Sequence, residues 1–236
     1  MDIFKFKQFD VDQTGCAMKV NTDGVLLGAL IEADNPKSII DIGTGTGVIA
    51  LMLAQRFANA RIDAVEIDRD AAEMAGQNFS NAQYHSRLTM HFNAFEDFFD
   101  KHKGNKYDLI VSNPPFFLDS LISSNNKKNL ARHTDGAFFE RLLGCIFNGL
   151  NDVGTCQLIV PIVTAAVIKD FLPKHQLYLH KVFSIKSFVN SVPHREIIII
   201  GKDQKQIAQK SFVIYDAPKV YSAAYRAALK DFLTIF

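Results

Sequence analysis

The sequence predicts an α/β fold built on a mainly parallel sheet, with helices on both faces. Three observations carry this reading. Strand-like and helix-like segments alternate from Lys37 onward. A glycine-rich turn joins the first of those strands to the first of those helices. The last quarter of the chain changes habit, and strand-like segments there follow one another without a long helix between them. The 236 residues are 48% hydrophobic and 22% charged, enough for one large domain with a substantial core. We read 1–236 as a single domain. It comprises a capping segment over 1–36, the core sheet over 37–202, and an extension over 203–236 with a strand and a helix.

Each element has a local signal. Residues 38–42 form a short apolar strand, and 48–57 a helix carrying Ile49, Leu51, Met52 and Leu53. Strand 62–67 and helix 70–81 come next, then strands 88–92 and 107–112. A helix is expected over 137–148, then strand 157–160 ended by Pro161 and helix 165–172 ended by Pro173. Strands 179–185 and 196–200 are too closely linked for a helical crossover, so they are expected to pair antiparallel at the sheet edge. One more strand over 212–215 and a helical stretch over 221–232 complete the chain. The polar run 123–129 reads as a mobile loop.

A net charge of +1 argues against a uniformly basic nucleic-acid surface and leaves room for a local basic face. Cys16, Cys145 and Cys156 are odd in number and far apart, without metal-ligand spacing. They read as small core residues in a reducing compartment, and no metal is expected. The N-terminus mixes charges with aromatics and lacks a signal peptide's apolar block. No apolar run approaches the roughly 20 residues of a membrane span. A soluble cytoplasmic monomer is the expectation.

The turn Asp41-Ile42-Gly43-Thr44-Gly45-Thr46-Gly47 lets the backbone approach a ligand closely, and the following helix points free N–H groups at the same place. Its G-x-G-x-G spacing fails the G-x-G-x-x-G dinucleotide pattern, because position 48 is Val. It matches the S-adenosylmethionine loop of class I methyltransferases, which the chain resembles here. Glu66, closing the next strand, can accept from both ribose hydroxyls, and Ile67 would pack on the adenine. Many such enzymes read the adenine amino group with an acid after the following strand. That position is Ala94 here, a departure, so Asn93 or the backbone around Ala94 is expected to serve instead.

Asn113-Pro114-Pro115-Phe116 ends strand 107–112, because neither proline has an N–H to donate. The turn offers a carboxamide, bare carbonyls and one ring, a set suited to holding a planar molecule by its amino group. Asn113 Oδ1 and the Pro114 carbonyl can each accept one N–H of an exocyclic amine. That arrangement localises the nitrogen lone pair and stabilises positive charge as it develops. Phe116 would stack on the base. In a doubly wound sheet the glycine loop, Glu66 and this turn all lie at strand carboxyl ends and could face one cleft.

An N-P-P-aromatic turn after such a loop resembles the amino-methyltransferases of adenine N6, guanine N2 and glutamine amide nitrogen. Further segments narrow the match. Phe6-Lys7-Gln8-Phe9, Cys16 to Ala29 with its Thr22-Asp23-Gly24, Pro193-His194-Arg195-Glu196 and Tyr221 to Tyr225 resemble the bacterial valine tRNA adenine N6-methyltransferase family. Asn21 stands where that family usually has Gly. The resemblance covers nearly the whole chain. It implies a seven-stranded class I Rossmann-like domain, S-adenosylmethionine as cofactor, and the anticodon loop of tRNA as partner. The implied target is the adenine 3′ to the anticodon, position 37.

Thr22 or Asp23 is expected to cap a helix through Val25, Leu26 and Leu27. That helix either covers the cofactor's methionine end, with Lys19 or Thr22 near its carboxylate, or simply packs. Lys5, Lys7, Lys127, Lys128, Arg132, His133, Arg195 and Arg226 are candidates for a basic rim. Alternative readings are an rRNA guanine-N2 methyltransferase, a protein glutamine-N5 methyltransferase, and a non-catalytic RNA-binding module.

Overall fold

Four consecutive isoleucines, Ile197 to Ile200, show how this chain is layered. Ile197 and Ile199 pack into one hydrophobic cluster, while Ile198 and Ile200 pack into a second on the opposite face of the same sheet. A strand covered on both sides loses the polar alternation of a half-exposed one. The computed structural model describes residues 2–16, 18–115 and 125–236, the stretch 125–135 through its backbone alone.

A short antiparallel hairpin, β1 (Ile3–Lys5) and β2 (Asp10–Asp12), leads into α1 (Thr22–Leu30). There follow β3 (Ser38–Ile42), α2 (Val48–Arg56), β4 (Arg61–Glu66), α3 (Arg69–Asn81), β5 (Leu88–Phe92), α4 (Phe95–Lys101) and β6 (Tyr107–Ser112). Next are α5 (Asn125–Gly149), β7 (Leu150–Pro161), α6 (Ile162–Phe171), β8 (Tyr178–Lys186), β9 (Arg195–Gly201) and β10 (Ala208–Val213). A small pair, β11 (Tyr215–Ala217) and β12 (Val220–Tyr221), precedes α7 (Ala223–Leu229).

Eight strands form the main sheet in the order β10-β8-β9-β7-β6-β3-β4-β5. Strands β7, β6, β3, β4 and β5 run parallel, and β9 is antiparallel to both of its neighbours. One face is covered by α1, α2, α3 and α7, the other by α4, α5 and α6. Strand order reverses between β3 and β6, which places a ligand crevice beyond their carboxyl ends.

The α/β class and the parallel centre agree with the sequence reading. The strand count is eight where the family resemblance implied seven. The β8–β9 hairpin is antiparallel as expected but is not at the edge, because β10 lies parallel alongside β8. The core sheet therefore extends past residue 202. Only Phe212 of β10 is buried, so most of that strand lacks the alternation that marks a strand in sequence. The helix expected from 137 begins at 125, and 125–129 of the supposed loop form its first turns, while 123–124 lie outside the described residues. Periodicity finds only helical turns with an apolar face, and those polar turns have none. The helical stretch 221–232 contracts to Ala223–Leu229. No helix among the described residues is long and apolar enough to cross a membrane.

Candidate active site

The glycine turn is anchored before any ligand is considered. Gly43 and Thr44 donate backbone N–H groups to Val65 O at 2.8 and 3.1 Å, and Gly47 N–H donates to Thr44 O at 3.0 Å. Gly43, Gly45 and Gly47 have φ of 69°, 57° and 88°, a region L side chains rarely adopt. Gly47 is constrained twice. A Cβ there would lie 2.5 Å from Phe79 Cε1 in the core. Gly47→Ala should therefore cost about 2–4 kcal/mol, from left-handed strain and overpacking together. Urea unfolding measures this, and a change under about 0.5 kcal/mol would refute it.

Asp41 is fully buried at the end of β3. Its Oδ2 accepts the Thr44 hydroxyl at 2.7 Å, while Oδ1 has no hydrogen-bond partner among the described residues. Burial pushes its pKa up to about 7, opposed by the Thr44 hydroxyl and the Ala50 backbone N–H and reinforced by the nearby Glu66 charge.

Glu66 closes β4 one residue beyond Val65, the partner of Ile42. Its Oε1 accepts from the Ile67 and Asp68 N–H groups at 2.8 and 2.9 Å, and its Oε2 accepts from Gly45 N–H at 2.9 Å. A carboxylate has about four acceptor sites, so roughly one stays open. Holding two ribose hydroxyls then requires the Gly45 bond to open. Ile67 is 70% exposed.

Asn113 follows β6 directly. Ser112, its neighbour, donates its hydroxyl to Ile42 O at 2.7 Å, which locks the end of β6 to the strand that carries the glycine turn. Asn113 Oδ1 is buried and has no hydrogen-bond partner among the described residues. Such an orphaned acceptor costs free energy unless a donor arrives. Pro114 is buried and Pro115 exposed; Phe116 lies outside the described residues.

The first turn of α1 packs beside this turn, since a Cβ on Gly24 would touch Asn113 Nδ2 and Val48. The cap of α1 is Asn21, whose side chain accepts from Gly24 N–H at 2.9 Å, not Thr22 or Asp23. The position read as a departure from the family thus has a local role. Asp23 is released to pair with Arg195 at 2.8 Å, both largely shielded from solvent. This joins the Thr-Asp-Gly segment to the Pro-His-Arg segment, far apart in sequence. Thr22 is exposed and lines a hollow of about 340 Å³ with Asn21, Tyr221 and Tyr225. Lys19 is exposed and pairs with Asp2.

On the adenine side, Asn93 N–H donates to Glu66 O at 3.0 Å and Ala94 is the N-cap of α4, without a side-chain cap. Glu96, in the first turn of that helix, is engaged by Arg141 at 2.8 Å. Phe92 is 54% exposed at the end of β5, with the Arg69 guanidinium 5.9 Å from its ring centre. Of the expected basic rim, Lys7 is tied to the carbonyls of Lys230 and Phe236, and Arg195 to Asp23. The side chains of Lys127, Lys128, Arg132 and His133 lie outside the described residues.

Asn78 was invisible in sequence. Buried in α3, it donates to Asp12 O and Thr46 O and accepts from Asp12 N–H, all at 2.9 Å, bracing the N-terminal hairpin against the glycine turn. Its only sequence signal is an amide within an otherwise ordinary amphipathic helix.

Residues 16–137 match the family model described as methyltransferase small domain. The tRNA1(Val) (adenine(37)-N6)-methyltransferase of Pedobacter heparinus is 45% identical over 233 residues, covering 99% of this chain and 98% of that protein. The chain belongs to this methyltransferase family. The protein of the same name from Flavobacterium psychrophilum is 38% identical, covering 98% of each chain. The fold is that of a solved structure described as a predicted O-methyltransferase from Agrobacterium tumefaciens, with a TM-score of 0.69. That likeness covers 89% of this chain and 96% of the other, at 16% identity.

S-adenosylmethionine is the family's cofactor, and the residues present fit it. Three left-handed glycines open the backbone, a carboxylate closes the next strand, and Asp41 keeps a buried oxygen unpartnered beside the turn.

Proposed function

We propose that this chain transfers a methyl group to N6 of an adenine in tRNA, at position 37 of valine tRNA, in the cytoplasm. The observation that carries the chemistry is the buried, unpartnered Oδ1 of Asn113 at the carboxyl end of β6. Full-length relatives named for adenine-37 N6 methylation support the choice of base.

Asp41, Gly43, Gly45, Gly47, Glu66, Ile67, Asn93 and Ala94 would hold the cofactor, with Thr22 and Lys19 toward its methionine end. S-adenosylmethionine supplies an electrophilic sulfonium methyl when bound. Everything else falls to the chain. Asn113 Oδ1 and the Pro114 carbonyl accept the two N–H groups of the adenine amine, drawing its lone pair out of the ring. The same oxygens are preorganised for the charge that appears on nitrogen during attack. Fixing the amine in place removes much of the entropic barrier. The spare proton then leaves to water, so no strong base is needed. Phe116 would supply the stacking wall.

The test is incubation with methyl-labelled cofactor and unmodified valine tRNA, followed by nucleoside mass spectrometry. N6-methyladenosine mapped to position 37 is the expected product. Label on guanine, or only on protein, would overturn the reading, and absent cofactor binding by calorimetry would favour a non-catalytic RNA-binding module.

A further inference from the structure

The β8–β9 loop, residues 187–194, has an unusual construction. Its tip carries Val189 and Val192, 63% and 83% exposed. Apolar side chains that open to water normally sit on slack segments, but the base of this loop is clamped. Ile214 and Tyr215 N–H groups donate to Lys186 O and Ser187 O at 3.0 and 2.9 Å. His194 N–H donates to Ile185 O, and Ser191 N–H to Phe188 O, both at 3.0 Å. Behind it runs a column of rings. Phe188 lies 5.8 Å from Tyr215, Tyr215 5.1 Å from Tyr221, and Tyr221 4.7 Å from Tyr225, the last pair within 7° of parallel.

Register places this tip above the substrate side of the site. Leu158 of β7 stands opposite Ser112, and Pro161, three residues further on, stands opposite Arg195 of β9. Arg195, where the loop meets β9, thus stands about 7 Å above the level of Asn113 and two strands to its side. Val163, 57% exposed at the start of α6, extends the apolar surface from the neighbouring strand end. The segment itself suits a polyanion, because no acidic residue occurs between Asp170 and Glu196 while Lys186 and Arg195 flank the loop, Arg195 being paired to Asp23.

We propose that this loop is a wedge for the anticodon loop of the RNA substrate, Val189 and Val192 filling the space vacated when the target adenine leaves its stack. Proteins that distort nucleic acid commonly insert apolar side chains between bases, and an unstacked loop base is the least costly to extrude. A rigid tip suits this work, since a slack one would yield before the stack does. The inference rests on the functional reading above and adds to it the surface that holds the target base out.

The test uses the full chain with Val189→Ser and Val192→Ser combined, and a valine tRNA transcript carrying 2-aminopurine at position 37. Both positions are exposed, and cofactor affinity by calorimetry, expected unchanged, reports an intact fold. The wild type should raise 2-aminopurine fluorescence on binding. The variant should lose most of that rise, and KM for unlabelled tRNA should increase about tenfold or more. A variant matching an active wild type in both readouts overturns the wedge and leaves the functional reading standing. So does sedimentation showing that the substitutions only dissolve a self-association of the chain. A wild type that methylates no tRNA adenine overturns the functional reading itself.

Discussion

Asn113→Ala is expected to leave cofactor affinity within a few-fold and to cut turnover by about 10²-fold or more, as loss of one preorganised polar group does. The expectation follows from what the oxygen lacks. Asn113 Oδ1 is shielded from water and has no hydrogen-bond partner among the described residues, although Ser112 beside it is tied down. An acceptor held at that cost is poised for a donor that arrives with the substrate. Its removal should scarcely touch the ground state and should fall on the transition state, where the amine nitrogen becomes positive. Single-turnover kinetics with saturating cofactor separates the two contributions. A variant with normal turnover would show that the amine is activated elsewhere.

Asp41→Asn is expected to make the cofactor-free protein more stable at alkaline pH and less able to bind its cofactor. The folded pKa is about 7 against 3.8 for the free side chain, and burial is the main cause. Below pH 3.8 the carboxyl is protonated in both states and adds no cost. Between there and about 7 the unfolded chain ionises first, so stability falls as pH rises. Above about 7 the full penalty is present, roughly 4 kcal/mol for a shift of this size. Asparagine escapes the penalty but must satisfy an NH₂ group, so the net gain at pH 8 should be about 2–3 kcal/mol.

The cofactor carries an ammonium and a sulfonium, and ionised Asp41 is the buried charge that would balance them. Wild-type affinity should therefore rise as pH passes upward through about 7, with a proton released on binding. The variant should lose that dependence and bind about tenfold or more weakly. Melting curves at pH 5 and pH 8, with calorimetry in buffers of different ionisation enthalpy, read both effects. Equal affinities and parallel melting profiles would refute the assignment.

Much of the candidate site was legible because its chemistry lies in short stretches whose spacing has a backbone cause. Three glycines at alternate positions, an acid at the next strand end and an asparagine before two prolines each specify a local geometry. What the sequence hid depends on partners remote in the chain. Asp23 and Arg195 are 172 residues apart, so neither looks like half of an ion pair. Asn78 reads as an ordinary helical amide until Asp12 and Thr46 are seen on either side of it. Asn21 was set aside as a departure because a cap is recognised only once the first helical residue is known. Ala94 offers no side-chain carboxylate, so Asn93 or the backbone groups around Ala94 are the groups proposed to meet the adenine.

The outermost strand of the sheet has a consequence for how little of this chain could be kept. Every proposed site residue precedes residue 203, so a shortened enzyme ending there looks feasible on paper. Yet β10 is what covers the flank of β8, with Lys210 and Lys181 lying over the Phe183 ring and both lysines paired to Glu32. Without it, the backbone groups of β8 that pair with β10 would face water along an apolar margin. Bare margins of that kind recruit strands from other molecules. The polar last strand serves as a guard against self-adhesion, and trimming it away would trade a working catalyst for a sticky one.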